Sequence, residues 1–313
     1  MELIDSIISL CEKQESTNPI EILEALMSED FSRMHGPEHH MFVGASLLTA
    51  FANSGGKFQD GACLADALRT LASRVKDVPG AVCGHWGVCG AVISAGVFES
   101  IVTKSGPLEG KTWAIPMELT SEIIKKQAAI GGPRCCKRDS YIAVSEAIKF
   151  TNDYLGVSMA SPDKIHCTRS SQNQQCIRER CPFYRKRVAF VCVHNSCRSQ
   201  IAEAFARKYY GERYDIYSAG TELKPQINQV AVRLMKDHYD IDMSNQHSKL
   251  LSSIPSPDLV VTMGCNVACP VIPGASKTDF GIEDPTGKTD DEFLRTIEEI
   301  KQKVDSLLGG TQQ

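Results

Sequence analysis

From Arg187 onward the chain alternates short apolar runs with longer amphipathic segments, and this pattern restricts the folds available to that part of the chain. Val188–Val191 and residues 258–263 are apolar enough to predict buried strands, with a weaker strand signal at 214–217. Helical spacing of apolar residues marks the segments 200–210, 225–239 and 291–307. Strands that alternate with helices predict an α/β domain, in which a parallel sheet is flanked by helices.

Residues 1–160 show mainly helical periodicity, so the first part of the chain is predicted to be largely α-helical. One helix start is explicit, because Asn18 is a typical N-cap residue and Pro19 suits the first helical position. The predicted helices are 3–11, one that begins at 19, 41–52, 62–75, 117–129 and 141–154. The segments between them are rich in glycine and cysteine and are predicted to be loops.

The domain boundary is predicted near residue 185. A chain of 313 residues has the length of two domains of roughly 150 residues each. The polar segment 161–184 contains three cysteines, so we assign it to the first domain rather than to a free linker. Residues 1–185 are therefore predicted to form a mainly helical, cysteine-rich domain, and residues 186–313 the α/β domain.

Charge and hydropathy exclude two classes of binding protein. The chain has 34 Lys and Arg against 38 Asp and Glu, a net charge of −4, and no basic run that would predict binding to nucleic acid or a membrane surface. No apolar stretch reaches the roughly 18 residues that predict a membrane span. The N-terminal segment carries Glu2 and Asp5 and lacks the basic flank of a secretory signal, so a cytoplasmic location is expected.

The chain has thirteen cysteines, which is the unusual feature of its composition. In a reducing compartment such thiols are expected to stay free rather than to form structural disulfides. They are then reactive thiols, metal ligands or small buried hydrophobic residues.

The segment from Cys192 to Arg198 carries the strongest chemical signal. It reads CVHNSCR and lies after a predicted buried strand and before a predicted helix. A loop that leads into a helix N-terminus presents backbone N–H groups, and the guanidinium of Arg198 adds a positive charge, so this segment is expected to bind a tetrahedral anion. The same positive surroundings favour the thiolate form of Cys192, to which Ser199 is placed to donate a hydrogen bond.

Several separated motifs together resemble the thioredoxin-coupled arsenate reductases, which share the fold of the low-molecular-weight tyrosine phosphatases. The resemblance covers residues 187–308 and rests on VCVHNSCRSQIAEAF, YSAG at 217–220, DLVVTMGC at 258–265, Cys269-Pro270 and Asp284-Pro285. It implies a four-stranded parallel sheet with Cys192 at the carboxyl end of the first strand, where open α/β sheets bind their ligands. A phosphate-like oxyanion, arsenate, is the implied substrate.

The resemblance also implies a role for each matching residue. Cys192 would attack arsenate, Asp284 would act as general acid, and the thiols of Cys265 and Cys269 would carry the resulting disulfide to thioredoxin. The implied oxyanion-binding residues are His194, Asn195, Ser196, Cys197, Arg198 and Ser199. From the residues alone, two alternatives stay open: Cys265 and Cys269 as a zinc half-site or buried thiols, and Asp284 as a turn residue before proline.

Two features favour the reductases over the phosphatases. After Asp284-Pro285 the phosphatases place tyrosines that line a cleft for phosphotyrosine, whereas this chain continues Thr286-Gly287-Lys288. Cys265 and Cys269 also stand where the reductases keep their shuttle thiols. A low-molecular-weight protein tyrosine phosphatase remains the alternative enzyme.

Two positions depart from the pattern of that family. His194 stands where many members have glycine, a position that suggests an unusual backbone angle. Some reductases bind potassium through positions that match Asn195, Glu203, Ser218 and an aspartate, and the last of these falls on Lys249 here. A lysine ammonium in that place predicts activity that does not depend on potassium, and no cofactor is expected for the α/β domain.

The first domain resembles a domain of unknown function from anaerobic microbes, which implies no activity. Its candidate metal ligands are thiols and imidazoles, which suit zinc, an iron–sulfur cluster or trivalent arsenic. They are Cys83, Cys89, Cys135, Cys136, Cys167, Cys176, Cys181, His35 and His39, with His40 beside them. No spacing among them is a known cluster signature, so cysteines packed among the glycines of a helical core remain an alternative. The main interpretation of the whole chain is an enzyme. The alternative is a thiol-based protein that binds or senses a metal or arsenite.

Overall fold

The computed structural model describes residues 2–58, 61–264 and 272–310. The chain divides into two compact units, Met1–Tyr184 and Arg185–Gln313, a division that lies one residue from the predicted boundary. No helix within the described ranges is long and apolar enough to cross a membrane.

The first unit is built from helices. They are α1 (Glu2–Glu12), α2 (Pro19–Ser28), α3 (Glu38–Asn53), α4 (Leu64–Val75), α5 (Val82–His85), α6 (Gly90–Val102), α7 (Ile115–Ile130) and α8 (Cys136–Leu155). The predicted start of α2 is confirmed, because the Asn18 side chain accepts a hydrogen bond from the Ile20 N–H at 3.0 Å. The helices enclose one apolar core that includes Phe42, Phe98 and Tyr141.

Helix α6 is absent from the sequence-based prediction, which places a loop there. The helix packs against α3, α4, α7 and α8 and is buried around much of its circumference. A helix that is apolar on all sides has no polar stripe to mark its period, so the periodicity that identifies surface helices is missing. Small residues such as Gly96 and Ala95 allow its neighbours to approach closely.

The second unit contains a parallel four-stranded sheet of order β2-β1-β3-β4. The strands are β1 (Lys186–Cys192), β2 (Tyr214–Gly220), β3 (Leu259–Thr262) and β4 (Ser276–Asp279), and the helices are α9 (Arg198–Tyr210), α10 (Gln229–Tyr239) and α11 (Asp290–Leu308). The predicted fold class is confirmed. Helix α10 begins at Gln229 instead of Pro225, because the Asn228 side chain caps it by accepting from the N–H groups of Val230 and Ala231.

The central strand β1 contributes to an apolar cluster on each face of the sheet. Val188 and Phe190 join the larger cluster with residues of α9, α10 and α11, while Ala189 and Val191 join a smaller one. Side chains alternate along a strand, so Cys192 lies on the same face as Val188 and Phe190. This register places the sulfur at the carboxyl end of the central strand, on the face covered by α9.

Candidate active site

The loop between β1 and α9 is held by its carbonyl groups. The Val193 carbonyl accepts from Glu222 N at 2.9 Å, and the His194 carbonyl accepts from Ser248 Oγ at 2.7 Å. The Asn195 carbonyl accepts from Gln200 Nε2 at 2.9 Å, and the Ser196 carbonyl accepts from Asn228 N at 2.7 Å. In a trans peptide the N–H points opposite to the C=O. Carbonyls bonded to the surrounding chain therefore turn the N–H groups of the loop toward its concave side, where an anion would lie.

Asn195 is the residue of this loop in the left-handed conformation, with a φ of 46°. His194, for which the sequence suggested an unusual angle, is not among the positive-φ residues of the described chain. Asparagine tolerates this conformation better than most residues do. Gly220 packs directly behind the loop, where a Cβ atom would lie 2.6 Å from the Val193 carbonyl oxygen, so this position requires glycine.

A buried hydrogen-bond network runs from Lys249 through Asn195 and Ser199 to Cys192. The Oδ1 atom of Asn195 accepts from the backbone N–H of Lys249 at 2.8 Å, so its Nδ2 atom must be the group that faces Ser199. Nδ2 donates to Ser199 Oγ at 2.9 Å, and Ser199 Oγ lies 3.0 Å from Cys192 Sγ. With its oxygen accepting from Asn195, Ser199 has its own hydrogen available to donate to the sulfur.

Arg198, the first residue of α9, is held in place by backbone oxygens. Its Nη1 atom donates to the carbonyls of Met263 at 3.2 Å and Ile282 at 2.7 Å, and its Nη2 atom lies 3.1 Å from Asp284 Oδ2. The side chain is only 10% exposed. The guanidinium thus lies between the residue that follows β3 and the loop after β4.

Asp284 lies beside Arg198 and is ionised at neutral pH. Burial alone would raise the pKa of Asp284, but hydrogen bonds from Thr286 and the charges of Arg198 and Lys224 lower it below its ordinary value. Thr286 donates to Oδ1 through its N–H at 3.0 Å and its hydroxyl at 2.7 Å. Oδ1 is thereby occupied, and Oδ2 is the oxygen that faces Arg198.

Two further predicted oxyanion-loop residues differ in their surroundings. The imidazole of His194 is half-exposed, and its Nε2 atom lies 3.2 Å from a carboxylate oxygen of Glu222. Cys197 is buried, and burial, together with the charges of Asp284 and Cys192, raises the pKa of its thiol. Cys197 is therefore a neutral thiol in the folded chain.

Glu203 and Lys249 form a buried ionic group behind the loop. The Glu203 carboxylate is 3% exposed; its Oε2 atom accepts from Ser218 Oγ and lies 3.2 Å from Lys249 Nζ. Its Oε1 atom accepts from Arg207 at 2.9 Å. The ammonium of Lys249 therefore lies against the carboxylate whose position matches a potassium ligand of some reductases.

Cys265 and Cys269 lie outside the described residues. The chain is described up to Gly264, which has a φ of 79° and whose N–H donates to Asp279 Oδ1 at 2.8 Å. Met263, one residue earlier, lies against Arg198 through its carbonyl. The end of β3 that leads to Cys265 is thus part of the same site.

In the first unit, His39 is not open to a metal ion. Its Nδ1 atom lies 3.1 Å from the Gly36 carbonyl and its Nε2 atom 2.9 Å from Lys137 Nζ, so both ring nitrogens have partners. Burial and the charge of Lys137 lower the pKa of His39 to about 3, and the ring is neutral. The expectation that His39 is a ligand is therefore corrected: it is a buried acceptor for Lys137.

The predicted cysteine ligands separate into two cavities. Cys135, Cys167, Cys176 and Cys181 line one, and Cys83, Cys89 and Cys136 line another together with His35 and Asp139. In the first cavity, burial raises the pKa of Cys167 to about 11, and the neighbouring Cys135, Cys181 and Cys176 act in the same direction. Among the described residues, no three His, Cys, Asp or Glu side chains are grouped tightly enough to hold a single metal ion.

Comparison with known proteins assigns each unit to a family. Residues 7–184 match a family of unknown function, DUF5714, and residues 187–313 match the low molecular weight phosphotyrosine protein phosphatase family. The chain belongs to both families. The resemblance that the motifs of the second unit predicted is confirmed.

The relatives of the second unit carry a common name. Arsenate reductase 2 of Staphylococcus saprophyticus is 44% identical over 126 residues, which are 38% of this chain and 94% of that protein. The arsenate reductase of Staphylococcus xylosus is 41% identical over 129 residues, 39% of this chain and 96% of that protein. A solved structure described as an arsenate reductase in the phosphate binding state is 31% identical and covers 40% of this chain and 97% of its own, with a TM-score of 0.37.

Several residues that shape the site were not found from the sequence. Gln200 and Ser248 hold loop carbonyls, and Lys224 influences Asp284. In the first unit, Arg138 and Asn173 line the four-cysteine cavity. Arg138 lies within the cysteine-rich segment at 131–138, whereas Gln200, Ser248 and Asn173 have no local pattern that marks them.

Proposed function

We propose that the second unit reduces arsenate to arsenite through a relay of cysteine thiols that thioredoxin recycles. The observation that carries this proposal is the position of Cys192 Sγ, 3.0 Å from Ser199 Oγ, at the start of a loop whose carbonyls are all bonded to the surrounding chain and which leads into the helix that begins with Arg198. The names of the relatives at 44% and 41% identity support arsenate as the oxyanion. The reducing cytoplasm is where such thiols would work.

In the first step the Cys192 thiolate attacks the arsenic atom of bound arsenate. A sulfur–arsenic bond forms, an arsenic–oxygen bond breaks, and the oxygen leaves as water once it is protonated. Asp284 is the proposed proton donor, because its Oδ2 atom lies beside Arg198, the side chain proposed to hold the arsenate. The ionised carboxylate must first gain a proton, and a bound arsenate dianion favours this because it both draws Arg198 away and repels the negative charge.

The second step releases the product. Cys265 attacks the sulfur of Cys192, a disulfide forms, and the electron pair of the sulfur–arsenic bond passes to arsenic, which leaves as arsenite. Arsenic gains two electrons and the two thiols lose two, so the step balances. Cys269 then attacks Cys265, which restores Cys192 and leaves a Cys265–Cys269 disulfide for a thioredoxin dithiol to reduce.

Hydrolysis of a phosphate ester is the second candidate, because the family of residues 187–313 is named for phosphotyrosine phosphatases. That reaction needs Cys192, Arg198 and Asp284 but neither shuttle thiol. The residues after Pro285 argue against an aromatic ester: Thr286 bonds to Asp284, and Lys288 Nζ lies 3.0 Å from Glu283. These polar side chains supply no aromatic wall on which a phenyl ring would stack.

The test compares both reactions on the full chain. Arsenate turnover is followed by NADPH consumption with thioredoxin and its reductase, and ester hydrolysis with p-nitrophenyl phosphate. We expect Cys192→Ser to abolish both activities and Cys265→Ser to abolish only arsenate turnover. Cys63→Ser, an exposed thiol of the first unit, is the matched control and should retain both. Arsenate turnover that survives in Cys192→Ser would refute the proposal.

A further inference from the structure

Four cysteines from separate positions in the sequence meet at one cavity of the first unit. Cys135 is the N-cap residue of α8, and Cys167, Cys176 and Cys181 come from the segment that follows this helix. All four are free thiols, and each is partly buried. The remaining lining includes Met34, Ile177, Phe183 and Tyr184, which shield the sulfurs from water.

Each of the four sulfurs accepts a backbone N–H hydrogen bond. The donors are Arg138 to Cys135 at 3.5 Å, Arg178 to Cys176 at 3.4 Å, Arg169 to Cys167, and Phe183 to Cys181. In three cases the donor is two residues after the cysteine. Hydrogen bonds aimed at sulfur stabilise the thiolate form, and they tune the cysteine ligands of metal–sulfur centres.

The cavity is also lined by a buried arginine with one unpartnered nitrogen among the described residues. Arg138 is 5% exposed and lines the cavity; its Nε atom pairs with Asp139 at 2.9 Å and its Nη2 atom donates to Pro133 O at 3.1 Å. Its Nη1 atom is buried and has no hydrogen-bond partner among the described residues. Lys137 and Arg169 line the same cavity. Buried donors normally have a hydrogen-bond acceptor. A metal–sulfur centre held by four thiolates is an anion and would supply one.

The side chain of Asn173 orients Cys135, the first of the four cysteines. The Nδ2 atom of Asn173, a buried residue, donates to Cys135 Sγ at 3.4 Å. Its Oδ1 atom accepts from the N–H of Gln175 at 2.9 Å and lies 3.2 Å from His35 Nε2. Such outer contacts are typical of built ligand sites, where they fix the direction of the ligand.

The spacing of the sulfurs distinguishes a cluster from a single ion. Zinc–sulfur bonds of about 2.3 Å bring four tetrahedral sulfurs to roughly 3.8 Å from one another, which is van der Waals contact. Among the described residues, no three His, Cys, Asp or Glu side chains lie close enough together to hold one metal ion, although all four of these cysteines line one cavity. An iron–sulfur cluster, whose own iron and sulfide occupy the space between its four cysteines, fits such an arrangement better than one zinc ion does.

We propose that Cys135, Cys167, Cys176 and Cys181 ligate an iron–sulfur cluster in the first unit. The centre is separate from the chemistry proposed for the second unit and does not depend on it. Cys83, Cys89 and Cys136 line the other cavity and take no part in this ligand set.

The test uses the full chain, purified without oxygen and also reconstituted with ferrous iron and sulfide. We expect iron and inorganic sulfide in equal amounts per chain, with the broad visible absorption of a cluster that bleaches on reduction. Cys135→Ala, Cys167→Ala, Cys176→Ala and Cys181→Ala should each lose most of the iron and the colour. Cys136→Ala is the matched control, because it is the next residue but lines the other cavity, and it should keep both.

Loss of iron through misfolding is separated from loss of a ligand by far-ultraviolet circular dichroism and by turnover of arsenate in the same samples. A chain that remains colourless after reconstitution would overturn the proposal, as would stoichiometric zinc without iron. Iron that persists in all four variants, or that is lost equally from Cys136→Ala, would overturn the assignment of the ligands. Failure of arsenate turnover alone would leave the cluster unaffected and would count against the proposed function instead.

Discussion

Replacing Ser199 by alanine tests whether the network behind the loop activates Cys192. The Oγ atom of Ser199 accepts from Asn195 Nδ2 at 2.9 Å and lies 3.0 Å from Cys192 Sγ, to which its hydrogen is free to donate. Ser199 is fully buried, so water cannot readily replace the lost hydroxyl. Alanine thus removes one hydrogen bond to the thiolate and leaves the loop carbonyls and Arg198 bonded as before.

A hydrogen bond to a charged group is worth about 1.5–3 kcal/mol, which corresponds to a factor of roughly 10 to 100 in how strongly the bond favours an ionised sulfur over a neutral one. We therefore expect Ser199→Ala to slow alkylation of Cys192 by iodoacetamide, and the single-turnover reaction with arsenate, by about that factor. The alkylated residue is identified by mass spectrometry. Affinity for arsenate should change much less, because Arg198 and the loop N–H groups are retained.

Ser218→Ala is the control. Ser218 also accepts from Asn195 Nδ2, at 2.8 Å, but it bonds to Glu203 rather than to Cys192. If both variants slow alkylation equally, the effect belongs to the integrity of the network and not to the bond to sulfur. Unchanged alkylation and turnover in Ser199→Ala would refute the reasoning.

Three further changes test other parts of the structure. Lys249→Met removes the ammonium that lies 3.2 Å from Glu203, so turnover should become several-fold faster on adding potassium at matched ionic strength, whereas the unaltered chain should show no such rise. Asp284→Asn removes the proposed proton donor and should slow formation of the arsenic adduct by about a hundredfold in single-turnover assays. Adduct formation at an unchanged rate would show that another group donates the proton. Burial raises the pKa of Glu99 from 4.5 to about 7, an effect that the hydrogen bond from Thr151 only partly opposes. Between these two pH values the folded state binds more protons than the unfolded state does, so the free energy of unfolding should fall as pH rises from 4.5 to 7, by on the order of 3 kcal/mol. Glu99→Gln should abolish this loss, which denaturant titrations at several pH values would measure.

The elements that the sequence predicted correctly carry one of two clear signals. Strand β1 is a short apolar run bounded by polar residues, and helix α11 repeats its apolar residues at helical spacing beside a polar face. Helix α6 has no such face, and strand β4 has the opposite difficulty, because its residues Ser276–Asp279 are polar and mostly exposed at the edge of the sheet. Edge strands gain from polar side chains that discourage further pairing, and this same property hides them from a search for apolar runs.

Three candidate groups of the site were predictable because they are close in sequence. Cys192, Arg198 and Ser199 lie on one strand–loop–helix unit, so the local pattern contains their geometry, whereas Asp284, Cys265 and Cys269 were predicted only from the resemblance to a family. The groups that hold this loop, such as Ser248 and Gly220, come from other elements, and only the folded chain brings them there. The same limit applied to the first unit, where the sequence offered nine candidate ligands and the fold divided their cysteines between two cavities.

The central claim is that Cys192 begins a relay that ends on two other thiols. The most direct test exposes the fully reduced chain once to arsenate without reductant, quenches it with an alkylating agent, and maps the linked cysteines by mass spectrometry. The account predicts one Cys265–Cys269 disulfide and one arsenite per chain, and a trapped Cys192–Cys265 disulfide when Cys269 is replaced by serine. Arsenite release with Cys265 and Cys269 still alkylated as free thiols would contradict it.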